Sequence, residues 1–114
     1  MKVKLRELRE VGARYSEKRR GNRMNSRAHV RVEWEVSAGQ RQSADAYTRV
    51  INPYGCMIVL PDSLEMDQRV ALTNLATSVG NTAVVVWKGN RQRDGWEYGI
   101  ELVTPEMGFW GMEL

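Results

Sequence analysis

A chain of 114 residues with 42% hydrophobic and 27% charged content reads as one globular domain, large enough to bury a core without staples. The lone Cys56 excludes an internal disulfide and multi-cysteine metal frameworks, and the lone His29 has no ligand set around it in sequence. The net charge of +3 hides an asymmetry: residues 1–31 carry eleven Lys or Arg against three Glu, a balance of +8, and the other 83 carry six against eleven, a balance of −5. An anionic partner is therefore expected at the N-terminal segment.

The first residues are charged at positions 2, 4, 6, 7, 9 and 10, which leaves no apolar stretch for a signal peptide. No run approaches the ~18 apolar residues of a membrane span, so a cytoplasmic location is expected. Residues 4–18, KLRELREVGARYSEK, place Leu5, Leu8, Val11 and Tyr15 at spacings of three and four, with Glu7 and Glu10 facing basic neighbours. That pattern predicts an amphipathic helix over 1–18, weakened at Gly12 by about 1 kcal/mol relative to Ala. Its apolar stripe is thin, which suits docking on the parent domain or on a twin in a homodimer rather than on a membrane. Residues 19–27, RRGNRMNSR, form a basic joint with four arginines and no lysine. Arginine is favoured over lysine where a planar fork must grip a phosphate, a carboxylate or a purine edge.

From residue 28 to the end the period becomes two. In HVRVEWEV, Val30, Val32, Trp34 and Val36 alternate with Arg31, Glu33 and Glu35, the pattern of a strand with one buried face. SAGQRQ (37–42) is expected as a turn and DAYTRVI (45–51) as a second strand, with Pro53, Tyr54 and Gly55 in the next turn. CMIVL (56–60), RVALTNL (69–75) and TAVVVWK (82–88) follow as strands, GNRQRDG (89–95) as a hairpin connection, and WEYGIELV (96–103) as the sixth strand. Six short strands joined mainly by hairpin-length connections predict an all-β fold, a small antiparallel barrel preceded by the helix. Its buried set should include Val32, Trp34, Ile58, Leu72, Val85, Tyr98 and Ile100. Phe109 and Trp110 are large enough to plug a barrel end or a groove.

Catalytic constellations are missing. There is no HExxH, no Walker-type glycine loop and no GxSxG. Glu97 and Glu101 share a strand face, but at about 13 Å by strand rise they are too far apart for an acid/base pair on a glycoside. Cys56 lies in an apolar run and suits a small core residue better than a nucleophile. An enzyme is not expected.

A basic arginine joint leading into a six-stranded barrel resembles the PilZ domain family, bacterial receptors for the second messenger cyclic di-GMP. The resemblance covers roughly residues 19–112. The family's first motif, Arg-x-x-x-Arg before the first strand, is matched by Arg23-Met24-Asn25-Ser26-Arg27. VALTNLATSVGNTAVVVWKG and the ending WEYGIELVTPEMGFWGMEL are similar to one PilZ subgroup. The second motif, (Asp/Asn)-x-Ser-x-x-Gly, is degenerate: Val50 stands at the acidic or amide position, Asn52 at the serine and Gly55 at the glycine.

The resemblance implies a non-catalytic, nucleotide-binding signalling module. Arg23 and Arg27 would grip the ligand, Arg19 and Arg20 would supplement phosphate contact, and Asn52 and Gly55 would lie on the barrel wall. Valine cannot accept a hydrogen bond from guanine, so the altered motif implies weakened binding, by roughly 0.5–3 kcal/mol per lost bond. No other cofactor is implied. The competing expectation is a PilZ-like protein-interaction module that no longer binds cyclic di-GMP. It would meet its partner through Leu5, Leu8, Val11 and Tyr15 or through Phe109 and Trp110. Acidic strand faces, and no aromatic pair placed as a stacking platform, argue against nucleic acid as the partner.

Overall fold

The two-residue apolar period beginning at Val30 becomes β1 (His29–Ser37). The chain then forms β2 (Gln40–Asn52), β3 (Gly55–Leu60), β4 (Arg69–Asn74), β5 (Val79–Gln92) and β6 (Gly95–Leu102) in a computed structural model that describes residues 27–106 and 108–111. The helix expected over 1–18 and all of the arginine joint before Arg27 lie outside the described residues. Every neighbouring pair of strands is antiparallel, and the sheet closes in the order β1-β2-β3-β6-β5-β4, with β4 returning to β1. Closure removes the free edges that a small sheet would otherwise leave to aggregate.

Inward residues follow the alternation. Val32, Trp34, Ile58, Leu72, Val85, Tyr98 and Ile100 are all at most 4% exposed and share one apolar cluster. Each such burial contributes about 1.5–3 kcal/mol of transfer free energy. Val36 departs from the expectation and is 50% exposed. The pairing of β1 with β2 shifts register between Glu35 and Ser37, so Val36 lies at an irregular strand end beyond the core.

Two connections are shorter than composition predicts. The first turn is confined to Ala38 and Gly39, the latter with φ of +77°, and β2 begins at Gln40. The last turn is Arg93 and Asp94, because β5 continues to Gln92 through two register shifts. In both places polar residues mimic a loop. Residues 40–43 of β2 are exposed on both faces, so alternation loses its apolar half there.

Both barrel ends are closed. The 61–68 connection inserts Leu64, fully buried, at the end where β3 finishes and β6 starts. Tyr98 holds that connection: its hydroxyl accepts from the Leu64 N–H at 2.7 Å and donates to the Asp62 carbonyl at 2.7 Å. The C-terminal turn seals the other end with Phe109 (0% exposed) and Trp110 (5%), their rings edge-on at 4.9 Å. Asn74 Nδ2 donates to the Phe109 carbonyl and Trp110 Nε1 donates to the Asn52 carbonyl, both at 2.9 Å. The two terminal aromatics are a plug, as their size predicts.

Candidate ligand surface

A barrel filled by side chains and shut at both ends offers a ligand its outer wall rather than its interior. Arg27 reaches that wall through Ala28. The Ala28 N–H donates to Thr48 Oγ1 and the Thr48 N–H donates to the Ala28 carbonyl, both at 2.9 Å. Thr48 is 1% exposed, so this reciprocal pair anchors the chain just before β1 and fixes where Arg27 emerges. His29 and Tyr47 are direct cross-strand partners on the outward face, and their rings stack at 4.5 Å and 10°. The Arg27 guanidinium carbon lies 4.6 Å from the Tyr47 ring centroid. The outcome is a surface stack of imidazole, phenol ring and guanidinium.

Two further arginines flank the stack, and both are already engaged. Arg31 forks onto Asp45, Nε to Oδ1 at 2.8 Å and Nη2 to Oδ2 at 3.1 Å. The hydrogen bond from Arg31 holds the Asp45 carboxyl below its usual range, and the same bond raises the guanidinium's own value. Both side chains are well exposed, so the pair orders the surface more than it stabilises the fold. Arg49 donates to Gln92 Oε1 at 3.1 Å and approaches Glu97 Oε2 at 3.6 Å. Arg27 has its ring contact, and no ion pair with any described residue.

The residues expected to face a ligand separate into two groups. Arg19, Arg20 and Arg23 lie outside the described residues. Arg27 is exposed on the outer wall. Asn52 is 1% exposed, and its Oδ1 accepts from the backbone N–H of Tyr54 at 2.7 Å and of Gly55 at 3.1 Å. Its amide nitrogen is buried without a hydrogen-bond partner among the described residues. Gly55 is buried, and a Cβ there would collide with the Ile100 carbonyl oxygen. Asn52 and Gly55 thus build the β2–β3 turn together, while Arg27 stands with Tyr47. Val50 is half-buried and pairs with Met57 across β2 and β3.

Sequence reasoning missed the His29–Tyr47 pair. Alternation turns both residues outward, but only the β1–β2 register sets them face to face. A second cation–aromatic group lies at the opposite barrel end, with Arg91 4.6 Å and Lys88 5.2 Å from the Trp96 ring. Trp96 packs partly against the core and Lys88 Nζ donates to Ser63 Oγ at 2.9 Å, so this group covers the barrel end.

No group of three or more His, Cys, Asp or Glu suited to a metal occurs among the described residues, and no described helix could cross a membrane. Cys56 is fully buried, and desolvation of its thiolate pushes the thiol up to about 12 from 9.0. Because the folded value is the higher one, the associated stability is present below about pH 9 and is lost as pH rises toward 12. Native protein at pH 8 should leave Ellman's reagent uncoloured and release one equivalent only in denaturant. Rapid reaction in native buffer would contradict the burial.

The chain matches no protein-family model, no curated protein and no solved structure.

Proposed function

We propose that the chain is a non-catalytic signalling module of PilZ type, which takes cyclic di-GMP weakly on the outer wall of its barrel. The observation that carries this reading is Arg27, which emerges beside β1 with its guanidinium on an exposed aromatic ring and no ion pair with any described residue. Arg23 precedes it at the motif spacing, with Arg19 and Arg20 adding positive charge for the phosphates. Arginine suits each part of such a ligand: a bidentate grip on phosphate, a stack on a purine face, a fork onto guanine O6 and N7. The weakness follows from the opposite side of the motif, where Val50 offers no acceptor and the Asn52 oxygen is taken by the turn.

That inward Asn52 also favours a second reading, a PilZ-like interaction module that has lost its ligand. Calorimetric titration with cyclic di-GMP, against cyclic di-AMP and GTP as controls, separates the two. Arg27→Ala should weaken binding more than tenfold, in line with the ~1–3 kcal/mol of a bidentate contact. Val50→Asp should tighten it by returning an acceptor, and it leaves Asn52 to hold the turn. Binding by neither wild type nor Val50→Asp would remove the receptor reading and leave the interaction module.

A further inference from the structure

We infer that Tyr47, backed by His29 and covered by Arg27, is a stacking platform for a purine base of a phosphorylated ligand. The inference rests on the proposed nucleotide-binding reading and adds a residue that the family motifs do not include.

Three features of the stack point to a ligand. First, the ring is held in place by its cross-strand neighbour. His29 lies parallel to it at 4.5 Å, and the strand below is pinned by the Ala28–Thr48 bonds. An aromatic face ordered before binding loses little entropy when a base settles on it. Second, the cover is removable. Beside the imidazole stacked at 4.5 Å, the Tyr47 ring carries the Arg27 guanidinium at 4.6 Å from its centroid. Arg27 has no carboxylate among the described residues and can turn outward. A base can then take the place it leaves on the ring, or lie between ring and guanidinium, while the arginine meets a phosphate. Third, the flanks are fixed. Arg31 is held by Asp45, and Arg49 by Gln92 and Glu97, whereas Arg27 has no ion pair among the described residues and can follow a ligand.

An aromatic that served only to fill the wall would be covered by its neighbours. Tyr47 is instead 50% exposed where the most basic segment of the chain joins the barrel. Phosphate for the arginines and a flat π-face for the ring together describe a nucleotide. Purines are preferred because their larger face overlaps the ring more fully, and guanine adds the O6 and N7 edge that an arginine fork fits.

The test pairs calorimetry with amide and ring NMR on the full chain, using cyclic di-GMP, linear pGpG, GMP and the pyrimidine dinucleotide UpU as probes. Tyr47→Leu should weaken cyclic di-GMP and pGpG about 5- to 150-fold, the span of about 1–3 kcal/mol found for one stacked base. Tyr47→Phe should bind as wild type, and UpU should bind more weakly than pGpG. Undiminished affinity in Tyr47→Leu would overturn the platform and leave the receptor reading intact. If wild type takes up no cyclic di-GMP, millimolar GMP decides. Shifts at His29 and Tyr47 in wild type, with the His29 shift lost in Tyr47→Leu, would keep the platform and discard the receptor, and no shift would discard both.

Discussion

Phe109→Ala should cost about 3–5 kcal/mol of stability, the range for emptying a fully buried phenylalanine site. The ring is 0% exposed, packs edge-on against Trp110 and closes one end of the barrel. A typical domain of this size is stable by only about 5–15 kcal/mol, so the loss removes a large share of the total. The consequences should spread beyond the cavity. Asn74 Nδ2 is buried and donates to the Phe109 carbonyl, so loosening of the turn leaves that amide without its acceptor. Urea titration followed by tryptophan fluorescence would read the effect as a lower midpoint. A loss below about 1 kcal/mol would mean that the C-terminal turn merely rests on a barrel that is complete without it.

Gly55→Ala is the second large effect, expected at or above about 3 kcal/mol, the upper end of overpacking costs. A methyl group there would run into the Ile100 carbonyl oxygen and lie 2.9 Å from Glu101 Cα. Those are backbone atoms of the paired β6 strand, which cannot move aside without breaking ladder hydrogen bonds. Gly80→Ala is the matched control. Its nearest neighbour is the Thr73 hydroxyl at 3.3 Å, a side chain that can turn, so the change should be nearly neutral. Denaturation curves of the two variants that coincide would refute this account. Gly55 also illustrates why loss of ligand binding on mutation needs a stability measurement beside it. A binding defect in Gly55→Ala would report a disturbed barrel before it reported a missing contact.

The same turn shows how far the sequence carries the site. The second-motif comparison locates Asn52 and Gly55 at adjacent corners of one hairpin, and the structure joins them there through the Gly55 N–H to Asn52 Oδ1 bond. What the comparison cannot supply is direction. Whether an asparagine at a strand end faces solvent or caps its own turn depends on the backbone path through Pro53 and Tyr54. Here that path brings two N–H groups onto one oxygen. The terminal Phe109 and Trp110 were legible as a plug from size alone, but their acceptor and donor, Asn52 and Asn74, lie 58 and 35 residues away in sequence.

Six strands, most of their inward residues and the concentration of positive charge before β1 can be read from the residues alone. These are local properties. A period of two is written in consecutive residues, and a buried face needs apolar side chains whichever strand lies beside it. Long-range strand pairing set β3 beside β6 and closed β4 on β1. It also placed His29 against Tyr47 under Arg27, turned Asn52 into its own hairpin and moved Val36 out of the core. Register is the physical reason. It is fixed by hydrogen bonds and core contacts between residues far apart in the chain, and a slip of one residue sends every side chain of a strand to the other face.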